Sequence, residues 1–253
     1  MEKGTKSYSI IHPETNINNK AFIDDFVVIG KGVSIGRDVY ISKGVKIYGK
    51  AIIKTGTYIG ENCIIGHFQR NQLKEVIASK KPITDFEGPE VIIDENCIIR
   101  AGTIIYCDVR IGAKCQTGHN VLIREKTNIN NNTLIGTNSI IDGYVTIGNN
   151  VSMQTGAYIP LFSTIGNKVF LGPYSKLTND KYMMRKQFDL IGPTIEDNVS
   201  LGANSVIFPG VKVRYGTIVG AGAIVTKDTK EREIIVGNPA KFLKKVPDNW
   251  KNI

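Results

Sequence analysis

The chain has 253 residues, 42% of them hydrophobic, and carries 32 Lys and Arg against 23 Asp and Glu, for a net charge of +9. That apolar fraction excludes general disorder, and apolar runs such as Cys63-Ile64-Ile65 and Val91-Ile92-Ile93 are too short to cross a membrane. The start, Met1-Glu2-Lys3, has no apolar leader, so a soluble cytoplasmic protein is expected. The positive charge is scattered rather than gathered on one face beside stacking aromatics, which argues against nucleic acid and favours small anions such as phosphorylated metabolites.

From Ile17 an aliphatic residue recurs at every sixth position: Ile17, Ile23, Ile29, Ile35, Ile41, Ile47, Ile53, Ile59 and Ile65. The series resumes at Ile93 and runs to Leu171, lapsing to Thr117 once, and a third run goes from Ile195 to Val225. Four residues after each aliphatic stands a small or β-branched residue, as in Val27, Val33, Val39, Val45 and Cys63. A period of six fits neither the 3.6 of an α-helix nor the 2 of an ordinary strand. It fits short flat strands joined by corners, three to a coil of eighteen residues, with the large and small residues pointing inward. Gly32, Arg37-Asp38, Glu61-Asn62 and Asn149-Asn150 fall at the corners, where Gly, Asn and Asp suit the turn. Cys63, Cys97 and Cys115 take the small inward place and act as buried, reduced thiols; Cys107 lies elsewhere in its repeat.

Three segments leave the pattern. Residues 67–90 and 173–194 are insertions long enough to imply a purpose, the second of them basic. The tail from Gly237 turns at Asn238-Pro239 and is expected to end in a short amphipathic helix. The expected organisation is one repeat domain over residues 1–236 and a tail over 237–253.

Thr117 opens the stretch QTGHNVLIREKTNI. With eighteen residues per coil, His119 stacks between Ala101 and Thr137, a large titratable side chain bordered by small ones, which predicts an outer recess. Imidazole titrates near neutral pH and suits general-base or hydrogen-bonding work. The opposing reading is an exposed, inert histidine. Arg100, Tyr106 and Arg124 take the outward second place of their repeats, and Tyr106, Arg124 and Asp142 form one column. There Arg124 either meets a diphosphate with its planar fork or pairs with Asp142. His12 precedes the repeats and His67 begins an insertion, where it can line a substrate pocket.

The stretches TGHNVLIRE (117–125), LTNDKY (177–182), GPTIEDNVSLGANSVIFPGV (192–211) and IVGNPAKFL (235–243) resemble the hexapeptide-repeat acyltransferases, and among them the nucleotide-linked amino-sugar N-acetyltransferases. The resemblance runs from Ile17 to Val246 and implies an all-β, left-handed parallel β-helix with two loop insertions. It also implies a homotrimer with active sites between subunits. The activity it implies is transfer of acetyl from acetyl-CoA to the amino group, at C3, of a dTDP- or UDP-linked deoxysugar for surface polysaccharide.

Carried onto this sequence, His119 takes the amine proton or orients the amine, with Asn120 and Glu125 as its neighbours. Asp94, Arg100, Tyr106, Arg124 and His67 meet the acceptor, and Gly202, Ala203, Gly220, Ala221, Asn238, Pro239 and Lys241 meet the CoA thioester. No metal is expected, since three histidines, one of them ahead of the repeats, make a poor zinc set. Other readings of the same fold are an O-acetyltransferase, a longer-chain acyltransferase, a zinc hydratase and a non-catalytic trimeric scaffold.

Overall fold

A computed structural model of the chain describes residues 8–250. The Met1-Glu2-Lys3 start, and the ends of the two expected segments at 1–7 and 251–253, lie outside the described residues. The chain winds as a left-handed parallel β-solenoid with three flat faces. The first face stacks eleven strands from Ile10–Ile11 to Ile224–Val225, and the second stacks ten from Asn16–Ile17 to Lys212–Val213. The third stacks twelve, from Phe22–Ile23 to Lys241–Lys245. Successive coils pair in register eighteen residues apart, as in Leu122↔Ile140 and Asn128↔Thr146.

The repeating aliphatic forms the core. Ile29, Ile41, Ile47, Ile59, Ile65, Ile99 and Ile123 are fully buried, and the small place four residues on closes the space between them, with Val27, Val45, Cys63 and Cys97 equally buried. Most corners are tight because one residue adopts the left-handed region: Asn62, Asn96, Asn120, Asn138, Asn150 and Asn204 all have φ between 54° and 57°. Asn tolerates that conformation better than most residues, which is why it recurs there.

Outward positions divide the faces. The third presents Phe22, Tyr40, Ile98, Leu134 and Phe170, all more than a third exposed, and the first presents Ile104, Leu122 and Ile140. Beyond Ile92 the second face presents Arg110, Asn128, Thr146, Thr164, Thr194 and Lys212. Two faces therefore carry apolar columns suited to burial against other protein, and one is polar.

The structure corrects the sequence reading in three places. The tail forms no helix among the described residues: Lys241–Lys245 pairs antiparallel with Glu233–Val236 and extends the third face. Its five side chains are all exposed, and the unpaired edge of the last coil offers backbone hydrogen bonds that a free helix would forgo. The helix of the described residues, α1 (Arg70–Ser79), lies inside the first insertion. The second insertion begins later than 173, because Lys176–Leu177 still pairs with Val206–Ile207 and Leu177 is fully buried.

Candidate functional site

The corner between the third and first faces carries His119. It is held by a ladder of backbone bonds in which each corner carbonyl accepts an N–H from the next coil. Ala101 O accepts from Asn120, His119 O from Asn138, Thr137 O from Gly156, Thr155 O from Tyr174, Pro173 O from Asn204 and Ala203 O from Gly222, all at 2.8–3.0 Å. Thus His119, Thr137, Thr155, Pro173, Ala203 and Ala221 stand in one column, and His119 lies four coil steps, about 19 Å, from Ala203. The His119 side chain is exposed, and among the described residues its imidazole makes no hydrogen bond or ion pair. The N–H groups of Ala203 and Ala221 likewise have no acceptor among the described residues. A Cβ on Gly202 would strike the backbone N of Ala221, so glycine here serves coil-to-coil approach rather than a left-handed turn. The turn carrying Asn238, Pro239 and Lys241 joins the same end of the column: Ile224 N–H donates to Gly237 O and Ala240 N–H donates to Ile224 O. The seven donor-side residues named from sequence are therefore contiguous with one another, and His119 shares their edge.

Thr117 breaks the aliphatic series for a reason visible here. Its hydroxyl, buried with the residue 1% exposed, accepts from Arg100 N–H at 2.9 Å and lies 3.4 Å from the Thr103 hydroxyl. The Arg100 guanidinium caps the Thr117 carbonyl at 2.9 Å. Arg100 thus braces the coil under His119 instead of projecting freely outward.

The corner between the first and second faces holds three of the residues expected at the acceptor, His67, Tyr106 and Arg124. His67, Tyr106, Arg124 and Asp142 stack on successive coils. The rings of His67 and Tyr106 are 4.7 Å apart, and the Arg124 guanidinium lies 5.7 Å from the Tyr106 centroid. His67 Nδ1 donates to Phe68 O at 2.9 Å. Arg124 donates to Asp142 at 2.9 Å and to both carboxylate oxygens of Glu125 at 3.0 and 3.2 Å. Burial opposes its charge, but Asp142 and Glu125 outweigh that and hold the guanidinium pKa above its ordinary value. Burial also pushes the Tyr158 hydroxyl up, helped by Asp142, to which it donates at 3.3 Å.

A family model for the "hexapeptide repeat of succinyl-transferase" matches residues 26–60, 126–160 and 194–227. Over those three stretches the chain carries the hexapeptide repeat that the family model describes. Among curated relatives it is 43% identical over 58 residues to a 2,3,4,5-tetrahydropyridine-2,6-dicarboxylate N-acetyltransferase of Clostridium perfringens, covering 23% of this chain and 25% of that one. It is 50% identical over 62 residues to the Staphylococcus aureus protein of the same name, covering 23% and 26%. The match thus spans about a quarter of the length of these relatives. Among solved structures it is similar to a UDP-N-acetylglucosamine O-acyltransferase of Moraxella catarrhalis, with 18% identity, 94% of this chain and 73% of that one covered, and a TM-score of 0.45. It is also similar to a hexapeptide-repeat acetyltransferase of Vibrio cholerae complexed with acetyl-CoA, with 25% identity, 45% and 71% covered, and a TM-score of 0.36.

Within this hexapeptide-repeat chain the expected site residues do not converge. Glu125 sits one whole face away from His119, and Arg124 takes up both its oxygens, so it does not orient the imidazole of its own chain. Asp94 lies on the remaining corner, between the second and third faces, paired with Lys54 at 3.2 Å. A cluster that the sequence did not single out flanks the arginine corner. A cavity of about 360 Å³ opens between α1 and that corner, bordered by Arg70, Leu73, Lys74 and Ile77 of the helix and by Tyr106 and Arg124. The i, i+3, i+4, i+7 spacing of those four helix residues was the available signal, hidden in what reads as a loop.

No helix among the described residues is long and apolar enough to cross a membrane. All four cysteines are free and buried, Cys107 included, whose thiol donates to Gln72 of α1 at 3.2 Å.

Proposed function

We propose that the chain is an acetyl-CoA-dependent N-acetyltransferase whose acceptor is the C3 amine of a nucleotide-linked deoxysugar, working in the cytoplasm as a homotrimer with its sites between protomers. The observation that carries this reading is the histidine corner: one exposed, unpaired imidazole, and four coils along the same edge a run of Gly and Ala with two backbone N–H groups lacking acceptors. An extended pantetheine arm offers amide carbonyls to such groups, and residues without bulk let it lie against the backbone. Its thioester end then reaches toward His119. The 43–50% identical stretches shared with named N-acetyltransferases support an amine as nucleophile.

In the reaction, the neutral amine nitrogen attacks the thioester carbonyl carbon, a C–N bond forms, and collapse of the tetrahedral oxyanion breaks the C–S bond. His119 accepts a proton from the nitrogen, and the departing thiolate takes one up. General-base assistance of this kind is worth about 10²- to 10⁴-fold. Asn120 shares the corner with His119, whereas His67, Tyr106 and Arg124 stand a full face away. A second protomer brings the two corners together when the apolar first and third faces pack in a closed ring.

The test is thiol release from acetyl-CoA by the purified chain against a panel of dTDP- and UDP-linked amino sugars, their free sugars, hydroxylated counterparts and a small amino dicarboxylate. Turnover confined to nucleotide-linked amines is the expected result. Preference for hydroxyl acceptors would replace this reading with O-acetyl transfer, and no turnover of any amine would defeat it.

A further inference from the structure

The arginine corner is the wrong charge for the ligand that sequence reading assigns to it. Arg124 has five N–H donors and spends three on Glu125 and Asp142. Glu125 is 7% exposed and its carboxylate is turned to Arg124 rather than to solvent. One guanidinium against two carboxylates leaves that cluster with a net charge of −1, which repels a diphosphate at close range. Compensating positive charge has to come from elsewhere, and the cavity supplies it from α1.

Arg70 and Lys74 are one helical turn apart on the face that borders the cavity; both are exposed, and among the described residues neither has an ion-pair partner. Leu73 and Ile77 share that face, and Ile77 is 75% exposed, so the stripe is apolar at one level and cationic at the next. The helix is not a loose appendage. Gln69 N–H donates to Gln72 Oε1 at 2.9 Å, and the Cys107 thiol donates to the same oxygen, which ties the first turn of α1 to the solenoid. Phe68, 2% exposed, anchors the entry to the helix against Tyr48 and Gly88. A volume of about 360 Å³ with apolar walls and two unpaired cations matches a small ligand with one flat, weakly polar part and one strongly anionic part.

We infer that α1 is the acceptor-reading element: Arg70 and Lys74 hold the diphosphate of a nucleoside diphosphate, while Leu73, Ile77 and Tyr106 wall its nucleoside. This rests on the nucleotide-linked acceptor proposed above, and it moves recognition of the phosphates from Arg124 to the insertion. Arg124 becomes a positioning residue that keeps Tyr106 and Glu125 in place.

The experiment measures binding of UDP, dTDP, pyrophosphate and the parent nucleosides to the intact chain by calorimetry, without any turnover, in the wild type and in the double variant Arg70→Ala/Lys74→Ala. Since α1 has no buried residue, the variant keeps the solenoid, and circular dichroism checks this. The expected result is a loss of affinity for the diphosphates of about tenfold or more, restored in part by Arg70→Lys, with nucleoside affinity little changed. The KM of the acceptor rises in parallel and that of acetyl-CoA does not. Equal diphosphate binding by wild type and variant overturns the assignment, as does a wild type that turns over nucleotide-linked amines but whose acceptor KM ignores the double substitution. If diphosphates bind through α1 and no nucleotide-linked amine is acetylated, the α1 site stands and the proposed reaction falls. If the wild type neither binds diphosphates nor turns over such amines, both fall.

Discussion

The two corners that border the first face are built on the same backbone plan and differ in what is left unsatisfied. At the histidine corner the backbone ladder is continuous, side chains are small, and the groups without partners among the described residues include the imidazole and the main-chain N–H groups of Thr137, Thr155, Ala203 and Ala221. At the arginine corner the side chains are large and satisfy one another: His67 on Tyr106, Tyr106 under Arg124, Arg124 on Glu125 and Asp142. A solenoid repeats its geometry at every coil, so geometry alone does not mark a site. Unspent hydrogen-bonding capacity does, because a group already paired within the chain gives up that pairing before it can serve a ligand.

Substitutions at the two corners should therefore fail in different ways. His119→Asn is expected to lower the rate of acetyl transfer by about 10²-fold or more with KM for both substrates within about twofold, read by steady-state kinetics. Glu125→Gln, on the other corner, should keep most of that rate and lose stability instead. An equal fall in rate for both, at unchanged melting temperature, would erase the distinction. Arg124→Ala leaves the Glu125 carboxylate without its donors and should cost about 2 kcal/mol of stability in urea unfolding, reduced from the fully buried case because the arginine is partly exposed. The smallest effect lies in the core. Burial pushes the Cys63 thiol up to about 11 from an ordinary 9.0, so the folded chain holds that proton more tightly than the unfolded one. Its contribution is full below about pH 9 and drains away as pH rises through about 11, which a melting series across that window measures. Cys63 should also resist alkylation near pH 8 until the chain is unfolded, since the thiolate is the reactive form.

Most of the fold was legible in the residues. Ile29 through Ile65 at six-residue spacing, with Val27 through Cys63 between them, specify a three-sided coil because no other regular backbone returns a side chain inward at that period. Asn62, Asn120 and Asn138 mark the corners because their φ is positive. The tail was misread because strand formation at Lys241–Lys245 depends on an open sheet edge that only the finished last coil provides. Leu177 was missed because the insertion that follows it breaks the series before the next repeat can confirm the phase.

The site divides along the same line. The chain's period alone was enough to put His119 between Ala101 and Thr137, to put Gly202, Ala203, Gly220 and Ala221 on late coils, and to stack Tyr106, Arg124 and Asp142, because position modulo eighteen is a local property of a solenoid. That Glu125 answers Arg124 and not His119, that Asp94 answers Lys54, and that Arg70 and Lys74 overhang Tyr106, was decided only by tertiary structure. Whether a side chain spends itself on a partner of its own chain, and where an inserted helix lies, is chosen by packing in three dimensions rather than by any repeat along the chain.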